Sequence, residues 1–482
     1  MSEISKDIFL KRFSKAVNEG YAAIFVGAGF SRPMGYVDWK TLLRPFAEEL
    51  ELDIEQETDL ARLAQFYRNE KGSKSRINQE IIDQFSKNVK LNENVKIITR
   101  LPIYTYWTTN YDHLLEEGLK LNNRKADVKI TQDQLSLQKR DRDALVYKMH
   151  GDVDFASEAV LTKEDYEVYN EKRSLYTTVL QGDLISKTFL FIGFSFEDPN
   201  LDNILSRTRN LLGENVGESY WLEKNVAEPN LQDIESEKEI EEIKEKYRID
   251  KVKLSLKINE LKRYGISTVL INDYDEITSI LLEVEKRYLR TNVFISGSIK
   301  SYDEIWEENK VNNFCSILSE KLVNNNYKVH SGFGLGVGSS VINGALKEIY
   351  STKYRHVDEH LLLRPFPQVF ENDEEKKLKW RQYREELISK VGVSIFIFGN
   401  KISKEGEVEL SEGMFEEFEI AKKFNNLIIP VGSTGGMAKK IYDMVEQDIE
   451  EYPYLKNDLE TLKSSHDIQE LTDCILDILE KN

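Results

Sequence analysis

The sequence predicts an α/β protein of two domains, each built on a mainly parallel sheet. Three observations carry that prediction. Short apolar runs alternate with amphipathic helical stretches almost from end to end, the pattern left by parallel strands joined through crossover helices. The 482 residues exceed the roughly 250–300 at which a single hydrophobic core stops growing. Glycine-rich loops follow apolar runs at two distant places, AAIFVGAGFS at 22–31 and YKVHSGFGLGVGSS at 327–340.

The first series starts after a charged amphipathic helix, MSEISKDIFLKRFSKAVNEG, which lacks a signal-peptide apolar core. Strands are expected at 22–27, 104–109, 144–149, 188–194, 219–223 and 266–272. Between the first two, residues 38–90 place Leu42, Leu43, Phe46 and Leu50 at helical spacing, so a helical layer is inserted into this sheet domain. The stretch 233–262 is so charged that a solvated helix or hairpin is expected, with an oligomer contact as the second reading. A fresh strand at 291–298 opens the second series, and YKVHSG, HLLLRPF, GVSIFIFGN and NNLIIPVG supply its further strands. The boundary falls near 285–290, giving domains of residues 1–285 and 286–482.

Composition narrows the partners. Lys plus Arg is 66 against 84 Asp plus Glu, a net charge of -18 with no long basic block, so a nucleic-acid backbone is repelled. The two cysteines, Cys315 and Cys474, cannot form a four-cysteine zinc site and are expected as small hydrophobes in a reducing compartment. No apolar run approaches the ~20 residues of a membrane span, and a cytoplasmic location is expected.

Four polar clusters end apolar strands in the first series. GAGFS carries glycines suited to a phosphate, but Arg32 stands where a dinucleotide fingerprint needs its third glycine, which excludes an ordinary Rossmann dehydrogenase. WTTNYDHLLE at 107–116 offers the Asn110 amide for a ribose hydroxyl or a water, and YKMHGDVD at 147–154 offers His150 as a proton acceptor. GFSFEDPN at 193–200 ends a further strand in Gly193 and Ser195, small and hydroxyl groups suited to a second ribose. Ligands bind beyond the carboxyl ends of strands in open α/β sheets, so all four clusters can meet at one crevice.

GAGFS, TTNYD, HGD and GFSFEDPN, in that order over about residues 8–285, resemble the sirtuin-like nicotinamide-dinucleotide domain. The resemblance implies that Gly27, Ala28, Gly29 and Ser31 cradle the pyrophosphate and adjacent ribose. It places Asn110 and Asp112 at the nicotinamide ribose, makes His150 the general base, and sets Gly193 and Ser195 at the adenosine end. Protein-deacylating sirtuins carry a four-cysteine zinc module that this chain cannot build, and no segment looks like an acyl-lysine channel. Water is then the remaining acceptor. The implied reaction is hydrolysis of NAD to nicotinamide and ADP-ribose, with NAD as substrate, no true cofactor, no zinc and no other metal.

In the second series the loop at 329–340 is neither a Walker loop nor a dinucleotide fingerprint, and it leads into the helical SVINGALKEIY. Backbone N–H groups around Gly332, Gly334 and Gly336, with hydroxyls of Ser296, Ser298 and Ser331 and the small Gly297 at the end of its strand, suit an anion or nucleotide. Arg384, Lys401 and Glu417 stand near the same strand ends, Glu417 read as lying at a helix start, and Arg364 is a further candidate. Residues 291–482 resemble the SLOG family of nucleotide-derivative-binding domains. The PGGxGTxxE motif of its enzymatic relatives is absent, which implies binding without catalysis.

The pairing of these domains over nearly the whole chain resembles the Thoeris antiphage effector family. That resemblance implies an NAD hydrolase activated by a cyclic ADP-ribose isomer from a TIR-domain protein, depleting NAD in abortive infection and working as a homotetramer or larger assembly. Two alternatives stay open: a sensor that binds NAD and a second nucleotide without cleaving either, and an NAD-dependent protein deacylase.

Overall fold

Five consecutive buried residues, Ala22–Val26, form strand β1, and an apolar run covered on both faces is what the centre of a parallel sheet requires. The computed structural model describes every residue except 1, 2, 214, 233, 235, 368, 371 and 404. Its chain divides into two compact units, Met1–Glu285 and Lys286–Asn482.

In the first unit β1 is joined by β2 (Thr105–Thr108), β3 (Ala126–Lys129), β4 (Ala144–Lys148), β5 (Thr188–Ile192), β6 (Ser219–Lys224) and β7 (Ile266–Ile271). Their order is β3-β4-β2-β1-β5-β6-β7, and every neighbouring pair is parallel. The chain moves to one side of β1 through β2 and to the other at β5, so the crevice at this switch of direction lies where β1, β2, β4 and β5 end. The loops after these four strands carry GAGFS, TTNYD, HGD and GFSFEDPN. Helices Trp39–Glu49, Leu60–Lys71, Ser75–Phe85 and Glu93–Arg100 form the inserted layer.

β3 is the strand that sequence reasoning passed over. Asp127 and Lys129 are buried and paired with each other at 2.9 Å, and Arg142 reaches Asp127 at 3.0 Å. Buried charge made a strand look like a loop. The charged stretch expected at 233–262 is one long helix, Glu237–Arg263, packed through Ile258 and Leu261, with positions 233 and 235 outside the described residues.

The second unit holds β8 (Asn292–Ser298), β9 (Lys328–Ser331), β10 (Leu361–Leu363), β11 (Val393–Phe398) and β14 (Leu427–Pro430) in the parallel order β10-β9-β8-β11-β14. A small antiparallel pair, β12 (Asn400–Ile402) and β13 (Val408–Leu410), follows β11 and was not expected. Its hairpin takes Lys401 off the sheet edge and pairs it with Glu409 at 3.3 Å. Cys315 and Cys474 are free and buried.

Candidate functional site

The glycines of the first loop are explained by backbone crowding between the ends of β1 and β5. A Cβ on Gly27 would lie 2.5 Å from the Gly193 carbonyl oxygen, and one on Gly193, whose φ is +63°, would lie 2.2 Å from the Phe30 nitrogen. That contact lets the Gly29 N–H donate to the Gly193 carbonyl at 2.9 Å and the Gly27 N–H donate to Ile192 at 3.1 Å. Ala28–Ser31 continues as a single helical turn. Gly29 and Ser195 are exposed at the rim, and Ala28 and Gly193 are half-buried.

Asn110 ties this turn to the neighbouring strand end. Its amide Nδ2 donates to the Gly27 carbonyl at 3.0 Å and to Ser31 Oγ at 2.9 Å, while its own N–H is held by Thr108 Oγ1 at 2.9 Å. Among the described residues nothing donates to Asn110 Oδ1, which leaves that oxygen as the acceptor for a ligand hydroxyl. Ser31 Oγ donates to Asp112 Oδ2 at 2.7 Å, and Asp112 Oδ1 accepts from the Leu114 N–H at 3.1 Å. Gly27, Ser31, Asn110 and Asp112 therefore form one continuous network.

Below them sits a buried cation that sequence reasoning missed. Lys148, at the end of β4 and 0% exposed, donates to the carbonyls of Tyr111 at 3.2 Å and Asp112 at 2.6 Å. It also pairs with Asp152 and lies 3.2 Å from Glu116 Oε1. Burial alone lowers its pKa, but the charges of Glu116, Asp152 and Asp112 outweigh that and raise it, so the ammonium persists. Burial likewise pushes the Asp152 carboxyl up, yet the His113 hydrogen bond and the Lys148 charge hold it at about 2. Lys148 thus joins the loop carrying Asn110 and Asp112 to the loop carrying His150.

His150 is buried, with the rings of Tyr166 and Tyr169 edge-on at 5.7 and 6.4 Å. Its Nε2 lies 3.2 Å from Asp198 Oδ2, within ion-pair reach though without an aligned hydrogen bond. Asp198 belongs to GFSFEDPN but was not singled out from sequence. The signal was present: Asp followed by Pro is a helix start, and Asp198 caps Pro199–Leu212 through Leu201 N–H at 2.9 Å.

In the second unit, backbone contact again explains glycines. A Cβ on Gly334 would lie 1.9 Å from the Gly297 carbonyl oxygen, and one on Gly336, with φ +77°, 2.2 Å from that of Ile299. Gly332 differs, since a Cβ there would meet the Phe366 ring at 2.8 Å and no backbone atom. The structure brings Ser296, Arg384 and Glu417 together: Ser296 Oγ donates to Glu417 Oε2 at 2.6 Å, and Arg384 Nε lies 3.3 Å from Glu417 Oε1. Glu417 sits in the second turn of helix Glu412–Lys423 and is buried, not at the helix start, so its oxygens are already engaged. Burial, offset in part by Arg384 and Ser296, raises its pKa. Arg384 also pairs with Glu416 and lies 5.1 Å from the Phe366 ring centroid and 5.7 Å from that of Trp380. Ser298 Oγ donates to the Asn400 carbonyl at 3.2 Å. Arg364 pairs with Glu386 at 2.9 Å, away from the Arg384–Glu417 group in its bonding.

Two family models match the chain: the SIR2-like domain over residues 104–250 and the Sir2- and TIR-associating SLOG family over residues 276–482. The protein named NAD(+) hydrolase ThsA from Bacillus cereus (strain MSX-D12) is 47% identical over 92% of this chain and 90% of its own length. Its namesake from Cytobacillus dafuensis is 45% identical over 98% and 96%, and that from Enterococcus faecium 40% identical over 93% and 92%.

Proposed function

Because the chain belongs to the family of NAD(+) hydrolases named ThsA, we propose that its first unit cleaves NAD to nicotinamide and ADP-ribose in the crevice around Asn110 and His150. The observation that carries this is Asn110, whose amide nitrogen is locked onto Gly27 and Ser31 while its oxygen is left for substrate.

Nicotinamide leaves as a neutral ring from a cationic glycoside, so positive charge develops on the ribose as the bond lengthens. Asn110 Oδ1 holds a ribose hydroxyl and fixes the sugar in the geometry for departure. Asp112, held by Ser31 and Leu114, places its carboxylate where it favours that charge. His150 takes a proton from the attacking water or from a ribose hydroxyl. The rim groups Ala28, Gly29, Gly193 and Ser195 line the pyrophosphate and adenosine end. No resident cofactor, zinc or other metal is part of this scheme.

The second unit is the sensor. A cyclic ADP-ribose isomer, supplied by a TIR-domain protein, binds at Ser296–Ser298, the loop of Gly332, Gly334 and Gly336, and Arg384, with Glu417 holding Ser296 and Arg384 in place. Supporting this are the SLOG match with its TIR association and a buried arginine held by two carboxylates, which a phosphate can replace. An enzyme that drains NAD must rest inactive, so the ligand must prefer the active state. The output is NAD depletion in antiphage defence, by a cytoplasmic homotetramer or larger assembly. Among the described residues no helix is long and apolar enough to cross a membrane.

The test is to incubate the full chain with NAD, alone and with each candidate cyclic ADP-ribose isomer, and to follow nicotinamide. Release with one isomer supports the reading; no release under any condition overturns it.

A further inference from the structure

We infer that Asp198 is a positioning residue for His150, holding Nε2 so that Nδ1 is the nitrogen that accepts the proton. This rests on His150 being the base of the reaction proposed above.

The two oxygens of Asp198 have separate tasks. Oδ1 accepts the Leu201 N–H at 2.9 Å and caps the helix Pro199–Leu212, which fixes the carboxylate to a rigid element. Oδ2 points to His150 Nε2 at 3.2 Å and accepts from Tyr166 Oη at 3.1 Å. Burial pushes the Asp198 carboxyl up, but His150, the Leu201 amide and Tyr166 together bring its pKa below the usual value, so it stays ionised. An ionised carboxylate can only accept, so the proton of a neutral imidazole belongs on Nε2. Among the described residues His150 Nδ1 has no hydrogen-bond partner. Tyr166 and Tyr169 stand nearly perpendicular to the imidazole, at 80° and 81°, and confine its plane. A small rotation within that slot aligns Nε2–H on Oδ2, as happens when catalytic hydrogen bonds tighten around substrate.

The discriminating variant is Asp198→Asn. Asn is as good a helix cap as Asp, so a merely structural Asp198 is replaced without loss. The amide oxygen keeps the Leu201 cap and the Tyr166 hydroxyl turns to accept, so the place of Oδ2 toward Nε2 is taken by the NH2 group. That group donates, which forces the imidazole proton onto Nδ1 and removes the base. Full-length protein under activating conditions should lose about 10²–10⁴-fold in kcat, the range of general-base loss and of the same exchange in a serine-protease triad. The NAD dissociation constant and melting temperature should stay near the wild-type values. In His150→Ala the added Asp198→Asn should cost nothing more. With only six histidines in the chain, ¹⁵N-histidine NMR can show the tautomer directly, independent of turnover. The expected result is Nε2–H in the wild type and Nδ1–H in Asp198→Asn. A kcat within about threefold of wild type, or an unchanged tautomer, overturns the inference. Failure of the underlying reading looks different: His150→Ala would then retain activity, or the wild type would release no nicotinamide.

Discussion

Replacing Lys148 by methionine should disrupt the site from beneath. The ammonium is fully enclosed and serves Tyr111 O, Asp112 O, Glu116 and Asp152, two carbonyls and two carboxylates. Methionine fills most of the volume but takes the ammonium from Asp152, 1% exposed, which keeps only the His113 ring at 3.0 Å and the Asp154 N–H at 2.8 Å. Breaking a buried pair from one side costs about 3–5 kcal/mol. The desolvated carbonyls add to this without being additive, so about 4 kcal/mol is expected, a large part of the ~5–15 kcal/mol that holds a domain folded. The assay is hydrogen exchange on peptides covering residues 109–116 and 144–154, where the opening free energy should fall by that amount. The companion is Lys148→Met with Asp152→Asn, which removes both charges. It should recover about 1–3 kcal/mol relative to the sum of the single changes. A single variant within about 1 kcal/mol of wild type, or a strictly additive double variant, would refute the idea that this cation joins the two loops.

Other expectations follow from the same geometry. The stability contributed by the depressed Asp152 carboxyl is fully present above its unfolded value near 3.8 and is lost as pH falls toward about 2; Asp152→Asn should flatten the acid limb of a denaturation series over that interval. Burial, against the weaker pull of Lys257, pushes Glu223 up to about 7, so its contribution is fully present below about 4.5 and is lost as pH rises through 7; Glu223→Gln should remove that decline. Arg384→Ala should raise the concentration of cyclic ADP-ribose isomer for half-activation at least about tenfold, the effect of losing a charge-assisted contact, and an unchanged titration would misplace the effector site. Gly334→Ala puts a Cβ 1.9 Å from a carbonyl oxygen, and a melting curve should show an overpacking loss of about 1–3 kcal/mol.

Strand ends and their loops were legible because apolar runs and turn residues are local signals. β1 reads as AAIFV and is buried at every position. β3 was illegible because its inward groups, Asp127 and Lys129, are charged and become acceptable only through pairing across space. The same holds at the sites. Asn110 and His150 stand in short motifs and could be named, whereas Lys148 has meaning only once the loops of β2 and β4 close around it. Arg384 and Glu417 were each nominated, but their bond to each other spans 33 residues and left no local trace. The glycines were noticed for their bearing on a phosphate, and the structure gives them a prior task, the contact of one loop backbone with another.

The most direct test of the proposed cleavage compares wild-type protein and Asn110→Ala under activating conditions, measuring nicotinamide and ADP-ribose together. The wild type should form the two in equal amounts, and Asn110→Ala should fall by about 10²–10³-fold, as when a group that holds the transition state is removed. Equal turnover by both proteins, or no ADP-ribose from the wild type with any activator, would contradict the account.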